Sequence, residues 1–263
     1  MKPLLEAILS RKLHDPRAII YKWLDEYGIK NYTLNDKGEI DVNGDVNLRK
    51  KGLEEFPPFI QFGTVKGSFF CDSNKLASLR GAPREVGRNF CCYRNRLTSL
   101  KEAPEKVDGR FDCSYNNLSS LEGVPNRIGG DFDCHNNNLR DLKGAPNRIG
   151  GSFDCEYNNL TSLEGAPEKI RDWFFCNYNS LKDLKGSPME VGGDFNCNHN
   201  NLTTLEGSPR EVDGYFDCSH NNLTSLEGAP KKVERDFNCR NNTTKFTEED
   251  VMRVCRVINN IYV

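Results

Sequence analysis

The chain has 263 residues, enough for one large domain or two small ones, and its 36 basic and 38 acidic side chains leave a formal net charge of −2. This balance excludes a bulk attraction to nucleic acid or to an anionic membrane. Only 37% of the residues are hydrophobic although 11 are cysteines, which argues against a compact globular core. No run approaches the roughly 20 apolar residues of a membrane span, and the opening segment becomes charged too early for a secretory signal. We therefore expect a cytoplasmic, reducing location.

The first 44 residues are predicted to form an N-terminal cap made of a helix and a hairpin. Asp15 and Pro16 begin the helix and Gly28 ends it. The residues expected on its apolar side are Ile19, Ile20, Trp23, Leu24 and Tyr27. Residues 32–34 and 40–42 flank turn-forming residues, a pattern that predicts a β-hairpin.

A repeat of 21 residues follows, with a solenoid predicted over residues 45–246. Its most regular feature is a cysteine every 21 positions, at Cys71, Cys92, Cys113, Cys134, Cys155, Cys176, Cys197, Cys218 and Cys239. Each of these ladder cysteines has a phenylalanine two residues before it and an asparagine three residues after it. The unit reads F-x-C-x-x-N-x-L-x-x-L-x-G-x-P-x-x-[VI]-x-x-x, and nine copies exclude chance.

This unit resembles the leucine-rich repeat, with Phe and Cys in the two strand positions that leucine usually holds. Its short length and its proline-bearing second half look most like the repeats of bacterial effector proteins and of similar arrays in bacteriophage genomes. The resemblance implies an α/β-type repeat solenoid, a horseshoe with a parallel concave sheet, a helix-poor convex side and helical caps at both ends. It implies little about function, because leucine-rich repeats bind many unrelated partners.

The residues themselves predict how each repeat folds. F-x-C forms a short strand whose Phe and Cys point into the core while the residues between and beside them point outward. The asparagines are expected to stack as a ladder that satisfies backbone groups at the strand ends.

One degenerate unit precedes the nine repeats, and Lys51 holds the asparagine position there. Its predicted core residues are Val46, Leu48, Leu53 and Phe56.

Residues 247–263 are predicted to form a C-terminal capping helix. Thr247 to Asp250 has the sequence of a capping box, which begins a helix. The residues expected to seal the last repeat are Val251, Val254, Cys255 and Ile258.

Nothing in the sequence favours catalysis or a cofactor. Zinc sites need ligands at short spacings such as C-x-x-C, whereas the ladder cysteines form a line, so we interpret them as buried, reduced packing residues. Cys91 is expected to point outward, with no histidine beside it to activate it. His199 and His220 hold the same repeat position, so their rings are predicted to lie close together; a metal between them is the alternative to two ordinary exposed side chains. We predict a protein that is not an enzyme and binds no cofactor.

The outward strand positions in the middle of the chain are acidic. Asp112, Asp133 and Asp154 succeed one another on adjacent strands, where like charges repel and gain nothing in the free protein. Asp131 and Glu156 deepen the same patch. The sequence leaves open a solvated, solubilising face, an acidic docking strip for a basic partner, and a calcium site.

Aromatic residues interrupt this pattern in the sixth repeat. Trp173 and Phe175 are predicted to be exposed there, with Tyr178 at the position that Tyr115 and Tyr157 hold in earlier repeats. Exposed aromatic residues beside charges are typical of binding hot spots, although a local repair of sheet packing is the alternative.

The second and third repeats carry a cluster of basic residues, which we call the basic end: Arg88, Arg94, Arg96, Lys101, Lys106 and Arg110. It could bind phosphate or continue a two-signed interface, and we count Arg94 among the candidate binding residues.

The sequence therefore predicts a non-enzymatic scaffold that grips a protein with a basic patch on its concave face. The resemblance to effector repeats suggests an inhibitor or effector that acts on a host factor in a bacterial or phage-infected cell. The alternative is an architectural component of a virion or lattice that self-assembles through its edges or convex loops. Nucleic-acid binding is disfavoured by the acidic strip, and neither a membrane association nor an oligomeric state is predicted.

Overall fold

The computed structural model describes residues 17–263, which form a solenoid of short parallel strands with little helix. It has two helices, α1 (Ala18–Glu26) and α2 (Glu248–Val254), and two long sheets. The Phe–Cys sheet contains 11 strands: β3 (Val46–Asn47), β5 (Phe69–Phe70), β7 (Phe90–Cys91), β9 (Phe111–Asp112), β11 (Phe132–Asp133), β13 (Phe153–Asp154), β15 (Phe174–Phe175), β17 (Phe195–Asn196), β19 (Phe216–Asp217), β21 (Phe237–Asn238) and β23 (Ile261–Tyr262). The predicted repeat solenoid is confirmed.

A second sheet runs along the other side of the solenoid. This Val/Ile sheet contains 12 strands: β1 (Tyr32–Leu34), β2 (Ile40–Val42), β4 (Phe62–Val65), β6 (Glu85–Val86), β8 (Lys106–Val107), β10 (Arg127–Ile128), β12 (Arg148–Ile149), β14 (Lys169–Ile170), β16 (Glu190–Val191), β18 (Glu211–Val212), β20 (Lys232–Val233) and β22 (Arg256–Val257). The repeat motif alone predicts only an extended return here. The returns lie side by side at strand spacing and share backbone hydrogen bonds, so they pair as a sheet.

Equivalent residues of successive repeats pair in parallel register. Phe132 pairs with Phe111 on one side and with Phe153 on the other, and each rung of the solenoid contributes one strand to each sheet. The exception is the predicted hairpin, in which β1 and β2 run antiparallel. Gly129 shows why small residues link the two strands of a rung, since a Cβ there would lie 2.0 Å from the carbonyl oxygen of Asp108.

The core lies between the two sheets. Each core position of the repeat contributes one side chain per rung, so that equivalent side chains form rows along the solenoid. The ten inward-pointing phenylalanines from Phe62 to Phe237 form a continuous row of rings with centroids 5.1–5.9 Å apart, all fully buried. The ladder cysteines and both leucines of the first eight repeats are buried beside them. Because each rung contacts only its neighbours, most of the chain stays on the surface, which explains the low hydrophobic fraction.

The predicted asparagine ladder is confirmed. Asn137 Nδ2 donates to the carbonyl oxygens of Cys134 (3.0 Å) and Cys113 (3.1 Å), and its Oδ1 accepts from the N–H of Leu118 (3.0 Å). One side chain thus joins two rungs and satisfies three buried backbone groups.

The two ends differ in part from the sequence predictions. In α1, Ile20, Trp23 and Leu24 are buried, but Ile19 is half exposed because consecutive residues of a helix point about 100° apart. The predicted helix start at Asp15 and Pro16 lies outside the described residues. Neither helix in residues 17–263 is long and apolar enough to cross a membrane.

The C-terminal segment is more than the predicted capping helix. The capping box is present, because the Thr247 hydroxyl accepts from the N–H of Asp250 and the Asp250 carboxylate accepts from the N–H of Thr247 (2.9 Å). The chain then turns extended at Cys255 and adds β22 and β23 to the two sheets. Ile258, predicted to seal the core, is 45% exposed because it lies in the turn between these strands.

Candidate partner-binding face

The outer surface of the Phe–Cys sheet carries the residues whose identity the core does not dictate. We call it the variable face and define it by four positions per repeat: three before, one before (pre-cysteine), one after (post-cysteine) and two after each ladder cysteine. Between Arg110 and Arg240, these positions hold no lysine and no other arginine. They hold eight carboxylates, those of Asp112, Asp131, Asp133, Asp154, Glu156, Asp194, Asp217 and Asp236.

Part of this acidic character has a backbone cause. At the pre-cysteine position, Asp133 Oδ1 accepts a hydrogen bond from the N–H of His135 (3.2 Å). Asn196 Oδ1 makes the same bond to the N–H of Asn198 (3.1 Å). The bond closes an Asx turn at the strand end, which both Asp and Asn can form. The fold therefore explains why this position needs a side-chain oxygen. It does not explain the negative charge of aspartate, which is left to be explained by function.

Asp131, which the sequence assigns to the acidic patch, also has a structural role. Its Oδ1 accepts from the N–H of Ser152 in the next rung (2.9 Å). Asn89 Oδ1 bonds the N–H of Arg110 in the same way (3.0 Å). The position three before the cysteine thus links neighbouring rungs, and its oxygen again does not need to be charged.

The expectation that adjacent aspartates only repel one another is wrong for the first two. Arg110 Nη2 lies 2.9 Å from Asp112 Oδ2 and 2.6 Å from Asp133 Oδ2. Both aspartates are buried, so these charge-assisted bonds are only partly screened by water. Arg110 therefore belongs to the acidic cluster rather than to the predicted basic end, because its side chain is long enough to reach two rungs.

His135 connects the second and third aspartates. Its Nδ1 is hydrogen bonded to Asp133 Oδ1 and lies 3.9 Å from Asp154 Oδ2. Burial alone would lower the pKa of His135, but the hydrogen bond and charge of Asp133 outweigh it and raise the pKa. Burial, and then the charge of Asp133, raise the pKa of Asp154 to about 7. Ionising the Asp154 carboxyl group near neutral pH therefore costs free energy.

The same three side chains are the group in residues 17–263 whose donors could hold a metal ion. The ligand atoms of Asp133, His135 and Asp154 lie within 4.8 Å of one another. Both oxygens of Asp133, however, already bond protein groups: Oδ2 to Arg110, and Oδ1 to His135. Calcium needs six to eight oxygen ligands. The geometry therefore fits an internal network of charges better than a metal centre.

An aromatic pair lies next to this cluster. Phe174 is fully buried while Phe175 faces outward and is half-buried, as the strand alternation predicts. Trp173 stacks on Phe175, with ring centroids 5.9 Å apart and an interplanar angle of 19°, and half of Trp173 is exposed. Phe175 pairs in register with Asp154 of the preceding strand. An apolar platform thus borders a carboxylate, an arrangement typical of an interface anchor.

The tyrosines form a different feature at the second position after the cysteine. The rings of Tyr157, Tyr178, His199 and His220 stack in one row, with centroids 4.3, 4.4 and 4.2 Å apart. The predicted proximity of His199 and His220 is confirmed. Stacking hides the ring faces and leaves the ring edges exposed. Because Tyr178 and Trp173 flank opposite ends of β15, the predicted aromatic patch consists of two separate parts.

Tyr115 lies between the acidic cluster and the basic end. The Arg94 guanidinium lies 5.1 Å from the Tyr115 ring centroid, and the His135 ring meets the same tyrosine edge-on at 4.8 Å. Lys106 of the predicted basic end forms an ion pair with Asp108 (3.2 Å). With Arg110 turned to the aspartates, the predicted basic end is weaker than its sequence suggests.

The cysteines are packing residues. All 11 are buried free thiols, which confirms the predicted burial of the ladder. The Cys155 Sγ, for example, lies 3.2 Å from the carbonyl oxygen of Phe175. Cys91 faces outward as predicted but is covered by its neighbours, and burial, with the charge of Asp112, raises its pKa to about 12. A thiol with such a pKa is a poor nucleophile.

Three functional candidates are absent from the sequence prediction: Arg110 as a bridge, His135 and Asn177. A signal for the first two exists, since Arg110 lies two residues before Asp112 and His135 two residues after Asp133. Residues two apart in a strand share a face. No sequence signal marks Asn177, whose buried side-chain oxygen, Oδ1, has no hydrogen-bond partner.

Comparisons with known proteins provide no assignment of function. No protein-family model matches the chain, and no curated protein matches it. Among solved structures, the chain is similar to YopM from Yersinia enterocolitica WA-314, with a TM-score of 0.41 and 15% sequence identity. The match covers 83% of this chain and spans 64% of the length of that one. A likeness at this level carries no information on partners.

Proposed function

We propose that this protein is a non-enzymatic scaffold that binds a basic protein through the variable face, the side expected to be concave. The observation that supports the proposal most directly is a pair of acidic side chains, Asp154 and Glu156, that have no lysine or arginine counter-ion and lie beside an exposed aromatic pair. Among residues 17–263, no lysine or arginine forms an ion pair with Asp154 or Glu156, and Trp173 lies half exposed next to them.

The raised pKa of Asp154 supports the same proposal. Its ionised carboxylate is unfavourable near neutral pH, because it is partly buried and close to Asp133. An asparagine would keep the Asx turn without this cost, as Asn196 does. A residue that costs stability where a neutral one would serve the fold is typical of a functional site.

The scaffold is also preformed for binding. The variable face is carried by paired strands whose neighbouring rungs are joined by the asparagine ladder, so little entropy is lost on this side of a complex. Together with the resemblance of the repeats to effector proteins, this favours an inhibitor or effector that acts on a host factor in the reducing cytoplasm of a bacterial or phage-infected cell.

The test uses two variants of the variable face, one that removes charge and one that removes the aromatic pair. Asp133→Asn with Asp154→Asn keeps both Asx turns, and Trp173→Ala with Phe175→Ala removes the aromatic pair. Glu190→Gln with Glu211→Gln is the matched control, because it makes the same change in net charge on the Val/Ile sheet. Each immobilised variant is used to capture proteins from host lysate, and captured proteins are quantified by mass spectrometry.

We expect one or more basic proteins to be captured by the wild type and by the control, and to be strongly depleted with both variable-face variants. Thermal unfolding followed by circular dichroism checks that every variant is folded. Equal capture by all four proteins would contradict binding through the variable face, and selective loss with the control alone would place the interface on the opposite sheet.

A further inference from the structure

Three aromatic side chains occupy the outward position of a Phe–Cys strand: Phe70, Phe175 and Tyr262. Two of them carry an arginine of this chain on their ring. The Arg49 Cζ lies 3.7 Å from the centroid of Phe70, and the Arg240 Cζ lies 4.9 Å from the centroid of Tyr262. The fold thus places a guanidinium on an outward aromatic ring twice, at its two ends.

Both arginines come from the same place in the repeat. Arg240 holds the post-cysteine position of the rung before Tyr262, and Arg49 holds the equivalent position after Leu48, in the degenerate unit before Phe70. For Phe175 the corresponding residue is Glu156. An acid therefore stands where the other two rungs supply the cation, and no arginine or lysine in residues 17–263 lies over the Phe175 ring.

A hydrogen-bond acceptor is also vacant at Phe175. Beside Phe70, the arginine is held by Asp72, whose Oδ1 accepts from Arg49 Nε at 2.7 Å. Asp72 and Asn177 hold the same post-cysteine position, Asp72 in the rung of Phe70 and Asn177 in the rung of Phe175. Asn177 is only 5% exposed, and its Nδ2 donates to Glu156 Oε2 (2.6 Å). Its Oδ1 has no partner, which is costly for a buried acceptor.

We propose that Phe175, Glu156 and Asn177 form a subsite for the guanidinium of an arginine supplied by the protein partner. The inference rests on the proposed function and names the residue that anchors the partner. The ring of Phe175 offers a stacking face, Glu156 and the neighbouring Asp154 offer negative charge, and Asn177 Oδ1 offers an acceptor. A planar guanidinium can stack and donate at the same time, whereas the lysine ammonium is a point charge.

The first test supplies the missing arginine within the chain. Glu156→Arg places a guanidinium at the position from which Arg49 and Arg240 reach their rings, and Glu156→Lys makes the same charge change without the planar group. We expect Glu156→Arg to melt about 2–4 °C above Glu156→Lys, the size of a cation–π contact in a chain of this length. Equal melting temperatures would show that the ring of Phe175 does not accept a guanidinium and would overturn the subsite.

The second test uses a fluorescent octapeptide of alternating arginine and glycine, with its lysine counterpart as control, and measures anisotropy. We expect the wild type to bind the arginine peptide about five- to tenfold more tightly. Phe175→Leu should abolish this preference by lowering the affinity of the arginine peptide to about that of the lysine peptide. The combination of Asp133→Asn with Asp154→Asn should weaken the binding of both peptides.

These outcomes separate the subsite from the proposed function. Binding of both peptides without an arginine preference, or a preference that survives Phe175→Leu, would overturn the subsite and leave the acidic scaffold standing. Failure of the wild type to bind either peptide would overturn both proposals.

Discussion

Asp154 shows how one residue can serve the fold and oppose it at the same time. Its Oδ1 accepts from the N–H of Glu156 (3.0 Å) and closes the strand end. Its negative charge, in contrast, is raised in energy by burial and by Asp133, as the pKa of about 7 shows. The two contributions can be separated experimentally, because asparagine retains the first and lacks the second.

We predict that Asp154→Asn stabilises the protein at pH 8 by about 1–3 kcal/mol. The pKa of Asp154 in the folded chain lies above the unfolded value of about 3.9. The folded state therefore binds the proton more tightly, and this stabilisation is full below the unfolded pKa and is lost as the pH rises through about 7. Urea unfolding at pH 5 and pH 8 measures the effect as the difference between variant and wild type.

The difference must be larger at pH 8 than at pH 5, because the wild-type carboxyl is mostly protonated at the lower pH. His135, whose pKa is also raised, changes stability in the same direction in the wild type. Asp154→Ala is the control: it removes the charge and the hydrogen bond together, so it should gain less than Asp154→Asn. A variant no more stable than the wild type at pH 8 would show that the carboxylate is not strained.

At the scale of elements, the sequence predicts the strands and the ladder that invariant repeat residues mark. It misses the second sheet and the contacts that single side chains make between rungs. The strands and the asparagine ladder are predictable because nine copies present the same Phe, Cys and Asn. The Val/Ile sheet is not, because its strands from β6 to β20 each have a single buried residue beside a variable charged one, as in Arg148–Ile149. Cross-rung contacts such as Arg110 to Asp133 depend on the reach and conformation of one long side chain, and no pattern encodes them.

The asparagine ladder gives the sharpest prediction for an element. Asn137→Ala should lower the free energy of unfolding by about 1–3 kcal/mol, because buried backbone groups of two rungs lose their partner. The neighbouring Asn138 is exposed, so Asn138→Ala is a matched control that should change stability by less than about 0.5 kcal/mol. Denaturant unfolding of the two variants provides the measurement. Equal losses would mean that the ladder does not carry the stability assigned to it.

For the whole molecule, the net charge of −2 conceals a separation of charge between the two sheets. The variable face has no lysine between Arg110 and Arg240, whereas the outward positions of the Val/Ile strands from β6 to β22 hold six basic and three acidic residues. Lys169, for example, is paired with Glu190 (2.8 Å). Only one side of the solenoid therefore presents an acidic field that can attract a basic partner over a distance.

This separation predicts a salt dependence that belongs to one face. Association of the arginine–glycine peptide should slow as salt rises from about 0.05 M to about 0.5 M, because screening shortens the reach of the field. Asp133→Asn with Asp154→Asn should flatten this dependence. Glu190→Gln with Glu211→Gln should leave it nearly unchanged although the net charge of the protein changes equally. Stopped-flow measurement of the association rate compares the three proteins, and equal flattening by both pairs would show that overall charge, rather than the variable face, guides the encounter.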